Sequence, residues 1–478
     1  MIRFSPMTFV RHAGGKSLLW RPRTGACVVA DGAEPFLKHV GWSPRPETEI
    51  VAEIAADFGI APDEVAADFE EFIAPLVADG FLTTEGTEDP HADAQGVLKE
   101  NLTQRHGGTG SLAAAALSAA NFDTAGNAHD DSWTPVGDFY AEVGVPTELH
   151  LDLTAACTER CVHCYLPDYP VKHIPFALAE KVLREFRAMQ GLSVHLTGGE
   201  CMLHPEFERV CRLCKELNLN FIILSNLTLC DEKRIDFLAD VQPQFVNVSL
   251  YSMDESEHDA ITRLPGSWRR TMDAILSCEK AGVGVRLAAP LLKENQGAFR
   301  ALAAFAREHR MHLVPSIDIV PQSDHDCSNL DHACSACELR KVLSADSEIF
   351  DRGWGEATFP APDAKVCDIG VSRLYLNSSG NYYPCDSMHG YVLGNAATDT
   401  VEEIWRGEKL ETLRRLKNKD FPQCLACANR PFCKVCPAFN FNATGDVFKT
   451  TPAKCAVAAV VKEVYGRNDN PANPVNPV

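Results

Sequence analysis

The chain has 478 residues, too many for one ordinary domain. With 45% hydrophobic residues and a mean hydropathy of −0.13 it reads as globular, and no apolar run approaches the length that spans a bilayer. A net charge of −20 argues against nucleic acid as the main partner, since nothing would replace its counterions. The opening residues lack the apolar core of a signal peptide, so a cytoplasmic location is expected, and most of the nineteen Cys read there as metal ligands rather than disulfides.

Residues 5–87 read as a small α+β unit. Strands are expected over 7–11, 17–21 and 26–30, separated by Gly14-Gly15 and Thr24-Gly25. Helical patterns follow over 33–40, 47–58 and 63–79; in the last, Val65, Phe69, Phe72, Ile73, Leu76 and Val77 recur at helical spacing. A short strand at Phe81-Leu82-Thr83-Thr84 closes the unit, and its lone Cys27 and His12 read as structural. This order of elements resembles the winged-helix recognition element of enzymes that modify ribosomally made peptides (RiPPs). The free-standing relative is the peptide chaperone of pyrroloquinoline-quinone synthesis. The resemblance implies that a leader peptide adds as a strand beside the third strand, near residues 25–29, and packs on the last helix. A plain winged-helix dimerisation module is the alternative. Residues 88–144 are rich in Ala, Gly, Asp, His and Thr, with apolar periodicity only at 111–120. They read as a flexible linker with one short helix, a tether that raises effective concentration.

From 145 to 325 strand and helix patterns alternate. Strands are expected over 148–153, 193–197, 220–224, 245–249, 283–288 and 312–320, with helices over 176–190, 205–217, 231–240, 271–281 and 298–310. Continuous apolar runs such as Phe221-Ile222-Ile223-Leu224 suit a parallel sheet covered by helices. The expected fold class is therefore α/β, a partial TIM-like (β/α)6 barrel with chemistry at the C-terminal ends of its strands. After the first strand comes Cys157-Thr158-Glu159-Arg160-Cys161-Val162-His163-Cys164. Three thiols at these spacings can meet on one metal centre if the backbone curls, and no further Cys or His close by completes a zinc-finger set. Thr197-Gly198-Gly199-Glu200 follows the second strand.

This loop and turn, in these places, resemble the radical SAM superfamily. The resemblance implies a 4Fe–4S cluster on Cys157, Cys161 and Cys164, whose open iron chelates S-adenosylmethionine. Gly198, Gly199 and Glu200 would meet the cofactor's amino group. Asn226 and Ser249 would meet its methionine or ribose portion, and Arg263 or Arg286 its carboxylate. Reductive cleavage then yields a 5′-deoxyadenosyl radical that takes hydrogen from an unactivated carbon. Cys201, Cys211, Cys214, Cys230 and Cys278 read as buried structural residues.

Residues 326–460 hold a second array: Cys367, Gly380-x4-Cys385, Cys424-x2-Cys427-x5-Cys433-x2-Cys436 and Cys455. It resembles the SPASM extension, which implies two auxiliary 4Fe–4S clusters. Cys367, Cys385 and Cys436 would serve the first, and Cys424, Cys427, Cys433 and Cys455 the second. The family commonly has x3 where this chain has x2 between Cys433 and Cys436. A fourth ligand for the first cluster is open: Cys327, Cys334 or Cys337 would supply it, or an iron stays free for a substrate thiol. Thiolate pairs at x2 suit a zinc ribbon as well. Residues 461–478, rich in Asn and Pro, read as a disordered tail.

Together the resemblances imply a radical SAM/SPASM maturase of a precursor peptide, reduced by a flavodoxin or ferredoxin, with no nucleic-acid or membrane partner. Thioether formation leads; carbon–carbon cross-linking, epimerisation and maturation of a sulfatase-type protein are alternatives. From another class comes a non-catalytic iron–sulfur electron carrier. No catalytic base or radical donor is identified; Tyr251, Asp318 and the upstream cysteines are candidates.

Overall fold

The computed structural model describes residues 1–22, 24–84, 133–354 and 357–466. They build two units, one on residues 1–84 and 133–145, the other on residues 146–217 and 221–466.

In the first unit, β1 (Ile2–Phe4), β2 (Phe9–Ala13), β3 (Lys16–Arg21) and β4 (Ala26–Asp31) precede α1 (Glu34–Leu37), α2 (Glu47–Phe58), α3 (Pro62–Ala78) and β5 (Leu82–Thr84), and α4 (Trp133–Val143) ends the unit. Strands β2, β3 and β4 form an antiparallel sheet in that order, and β1 pairs with β5. The β2–β3 hairpin turns on Gly14 and Gly15, both at positive φ, where a side chain would be strained. Val10 and Leu19 from the sheet pack with Ile50, Ile54, Phe69, Ile73 and Leu76 from α2 and α3. Helix α3 opens with Pro62, whose missing N–H costs nothing at a first turn, followed by Asp63 and Glu64, which suit the dipole.

Helix α4 corrects part of the linker expectation for 88–144. Val136, Phe139 and Tyr140 are buried, and the helix packs against β3 and β4. Pro135 and Gly137 disguise its i, i+3, i+4 pattern, although proline is tolerated in a first turn. The helix expected at 111–120 lies outside the described residues.

The second unit runs β6 (Glu148–Thr154), α5 (Phe176–Ala188), β7 (Ser193–Gly198), α6 (Phe207–Glu216), β8 (Asn220–Ser225), α7 (Glu232–Val241) and β9 (Val246–Ser249). It continues through α8 (Glu255–Thr262), α9 (Ser267–Lys280), β10 (Val285–Pro290), α10 (Phe299–Glu308) and β11 (His312–Ser316). Then come α11 (Ala336–Ala345), α12 (Ser347–Phe350), β12 (Arg373–Leu376), β13 (Asn381–Tyr383), β14 (Gly394–Asn395), α13 (Val401–Trp405), α14 (Glu408–Arg414), α15 (Pro422–Leu425), α16 (Pro437–Thr444) and α17 (Pro452–Tyr465).

All nine strands make one sheet in the order β11-β10-β9-β8-β7-β6-β12-β13-β14. The six strands expected from the sequence form its first part, with parallel pairing between β6 and β7 and from β8 through β11. Strand β12 continues the sheet parallel to β6, and β13 and β14 follow antiparallel, so the cysteine-rich extension is built onto the barrel's first strand. Leu149, Leu151 and Leu153 are fully buried, and period two sends Glu148, His150 and Asp152 to the opposite face. There His150 meets His195 of β7 (rings 4.1 Å apart) and Tyr375 of β12 (4.4 Å).

Three details differ from expectation. Helix α8 was not foreseen, and β11 stops at Ser316 rather than 320. Helix α17 runs to Tyr465, into the segment read as a tail, because Val460 and Val461 are buried; residues 467–478 lie outside the described residues.

Candidate active site

Strand β6 hands the chain to the cysteine loop, which three neighbours hold. Arg160 and Val162 donate backbone N–H bonds to the Thr262 and Ile261 carbonyls at the C-terminal end of α8 (2.9 and 3.0 Å). Cys164 N donates to Cys161 O (3.1 Å), curling the loop on itself, and the Asn329 amide reaches the His163 and Cys164 carbonyls (3.3 and 3.4 Å). The unforeseen α8 is therefore the loop's main anchor.

The Gly198-Gly199-Glu200 turn lies flat on the root of that loop. Gly199 N donates to Thr154 O (2.9 Å) and Glu200 N to Ala156 O (2.8 Å). A Cβ on Gly198, at φ +127°, would stand 2.2 Å from Thr154 O, and one on Gly199 would stand 2.4 Å from Ala156 O. Glycine is required here by backbone-to-backbone contact.

Glu200 is fully buried, and its carboxylate already accepts from Met202 N (3.0 Å), Asn226 N (2.9 Å) and the Ser225 hydroxyl (2.9 and 3.0 Å). It ties the second strand's turn to the third strand's. Asn226 passes this on: its amide donates to Thr158 Oγ1 (2.9 Å) inside the cysteine loop, and its carbonyl accepts from Thr271 (2.7 Å). Ser249, the last residue of β9, lies beside the buried Tyr251 phenol and offsets part of the rise that burial imposes on it. Arg263, exposed and at φ 55°, follows directly on the α8 carbonyls that anchor the loop. Arg286 is not brought to this end. It is the second residue of β10, four residues before Pro290 and so about 13 Å down the strand, with its guanidinium over the Phe245 ring.

The structure places one residue that the sequence offered only as a candidate, Tyr251, and one that escaped the sequence reading, Glu159. Tyr251 stands with its hydroxyl 3.6 Å from Cys161 Sγ and its ring edge-on to His163 at 5.0 Å. Glu159, within the loop, is 3% exposed and lies 3.3 Å from Cys161 Sγ; burial pushes its carboxyl up to about 8. A carboxylate inside the Cys-x3-Cys spacing was the available signal.

The thiols fall into three neighbourhoods by their electrostatic influence on one another. Cys157, Cys161 and Cys164 form one. Cys436 acts on Cys367 and Cys385. Cys424 feels Cys455 and Cys427, and Cys433 feels Cys424 and Cys455. Cys367, Cys385, Cys424 and Cys436 pack on an apolar cluster that includes Met388, Phe421 and Val435. Cys327 responds to Asp326 instead, and Cys334 to Glu338 and Glu294. Burial pushes Cys157 up to about 12 and Cys367 and Cys433 to about 11, so these thiols stay protonated until a metal displaces the proton. None of the nineteen is in a disulfide. Sulfur-only donor sets, partly buried and free of disulfides, fit iron–sulfur clusters. Cys201, Cys211, Cys214 and Cys278 are buried in helix and turn packing as expected, whereas Cys230, expected buried too, is half-buried.

The sheet's polar face carries further charge. Burial alone would raise Glu148, yet the neighbouring His150, His195 and Arg373 hold its carboxyl well below the usual range. Glu148, His150 and His195 place three ligand atoms within 4.8 Å, but Arg373 Nε, 2.5 Å away, already neutralises that carboxylate. Above them, burial and the neighbouring Asp386 push Asp152 up to about 7.

Residues 151–306 match the Radical SAM superfamily, and residues 367–428 match SPASM, an iron-sulfur cluster-binding domain. The chain is 23% identical to an AdoMet-dependent heme synthase of Methanosarcina barkeri over 347 residues, 65% of this chain and 97% of that one. It is 23% identical to a PqqA peptide cyclase of Gluconobacter oxydans over 312 residues, 60% of this chain and 83% of that one. The fold is similar to that of Streptococcus suis SuiB bound to its precursor peptide SuiA, with a TM-score of 0.57 at 15% identity over 95% of this chain and 100% of that one. A cysteine loop seated on a Gly-Gly-Glu turn, followed by a second array of thiols, is thus accounted for: the chain is an enzyme with a radical SAM domain and an SPASM domain, working with S-adenosylmethionine, a 4Fe–4S cluster and auxiliary iron–sulfur clusters.

Proposed function

We propose that this enzyme modifies a ribosomally made precursor peptide in the cytoplasm, with residues 5–87 binding the leader. The observation that carries the reading is the edge of the N-terminal sheet. Among the described residues β4 pairs with β3 alone, so no strand occupies its other edge, where a peptide strand would add. Phe58 is exposed beside Phe36 and Phe72 on the neighbouring helices, where apolar leader residues would pack. The peptide cyclase among the relatives and the peptide-bound similar fold support the same substrate class.

When bound, S-adenosylmethionine supplies a carbon-centred radical that removes hydrogen from carbon. The chain's own residues position it. Cys157, Cys161 and Cys164 hold the cluster, Gly198 and Gly199 clear space, and Glu200 and Asn226 lock the second and third turns against the loop. Ser249, Arg263 and Tyr251 line the same end. Cys367, Cys385 and Cys436 hold one auxiliary cluster, and Cys424, Cys427, Cys433 and Cys455 the other. Two such clusters favour net oxidation, with a thioether from a Cys sulfur to carbon as the leading product and a carbon–carbon cross-link next. A flavodoxin or ferredoxin delivers the electrons.

Deleting residues 1–145 tests the leader role. The cut includes α4, whose apolar face would otherwise be stranded. Modification of the cognate peptide should be lost while slow uncoupled cleavage of S-adenosylmethionine continues. Undiminished modification contradicts the proposal. The heme synthase relative supports a second reading, a tetrapyrrole substrate, for which turnover would survive that deletion.

A further inference from the structure

Helix α17 begins at the auxiliary thiols, and its third residue, Lys454, has no role in the account so far. Lysine is rarely buried unless paired. Here the side chain is 13% exposed and Nζ lies 2.7 Å from Asp318 Oδ2, two residues beyond the end of β11. Lys454, Asp318 and Cys433 line one cavity of about 70 Å³, walled by Phe350, Phe432 and Val461. Cys433 in this cavity and Cys455, the residue after Lys454, belong to the same set, so the ammonium stands beside that set.

We propose that Lys454, held in place by Asp318, is a positioning residue that raises the reduction potential of the auxiliary cluster assigned to Cys424, Cys427, Cys433 and Cys455. The inference rests on the reading that these cysteines carry two such clusters. Each cluster gains one negative charge when it accepts one electron. A fixed cation in a site of low dielectric therefore favours the reduced state, and burial and local charge are among the levers that set such potentials. The lysine comes from the helix that carries Cys455 and the aspartate from just beyond the last barrel strand. Asp318 is thereby assigned to charge balance rather than to proton abstraction from substrate.

Redox titration of the reconstituted full-length protein, followed by electron paramagnetic resonance, tests this. Lys454→Met keeps the stem and removes the charge. It should make that auxiliary cluster at least tenfold harder to reduce, a downward shift of about 59 mV for a one-electron couple. Lys454→Arg should stay at the wild-type value, and Asp318→Asn should shift it upward. The radical SAM cluster should be unchanged throughout. A merely structural contact would not give shifts of opposite sign for the two partners. An unshifted potential in Lys454→Met with iron content intact overturns the proposal. If that variant loses its clusters, Asp318→Asn decides alone: an upward shift supports the proposal and no shift overturns it. Absence of auxiliary signals from the wild-type protein would instead defeat the two-cluster reading.

Discussion

The contact between Gly199 and Ala156 sets the tolerance of the site. A methyl at Gly199 needs space now held by a backbone carbonyl, so Gly199→Ala must lift the turn or displace the root of the cysteine loop. A displacement near 1 Å can cost about 100-fold in rate, and that is the expected fall in 5′-deoxyadenosine formation, measured with iron content as a control. Asp152 gives a pH signature. Its carboxyl titrates at about 7 in the fold, against about 3.9 in an unfolded chain. The unfolded state therefore releases the proton first. Asp152's contribution to stability is fully present below pH about 4, is lost as pH rises towards 7, and is level above that. Asp386, Tyr165 and Tyr383 face the same carboxyl. Asp152→Asn should therefore raise the melting temperature more at pH 7 than at pH 5; an equal gain at both would contradict the assignment.

At the scale of elements, strand and helix periodicity made the six parallel strands legible, because Leu149, Leu151 and Leu153 on β6 and the apolar run of β8 have few other uses. The cysteine loop and glycine turn were legible for a different reason: their spacing is itself the chemistry. What was hidden depends on tertiary contact. Helix α8 is short and polar, with Glu255, Glu257 and Asp259 among eight residues, and its role is to offer two carbonyls to a loop distant in sequence. Glu200, expected at the cofactor, also ties together Ser225, Asn226 and Met202, partners no linear pattern reveals. Strand β12 pairs with β6 across more than two hundred residues. Helix α3 offers an element-scale test. Phe69 is fully buried in the N-terminal core, and Phe69→Ala should destabilise that unit by about 3–5 kcal/mol, read by chemical denaturation. Peptide modification should fall while uncoupled cofactor cleavage persists.

For the whole molecule, the joined sheet explains how a barrel and a cluster-binding extension share one frame. The extension's first strand is the barrel's neighbour, and the Gly380 hairpin that follows it leads directly to Cys385. Among the described residues no helix is long and apolar enough to cross a membrane. Three clusters require about 12 iron atoms per chain after anaerobic reconstitution, and Cys157→Ala should remove about 4 of them while sparing the auxiliary signals. The most direct test of the account is anaerobic co-expression with a short Cys-containing reading frame encoded beside the gene, followed by mass spectrometry of the peptide. The account predicts loss of two hydrogens from the core peptide, dependent on Cys157 and on residues 1–145. A fully loaded enzyme that cleaves S-adenosylmethionine but leaves the peptide at unchanged mass, without deuterium uptake from heavy water, would contradict it.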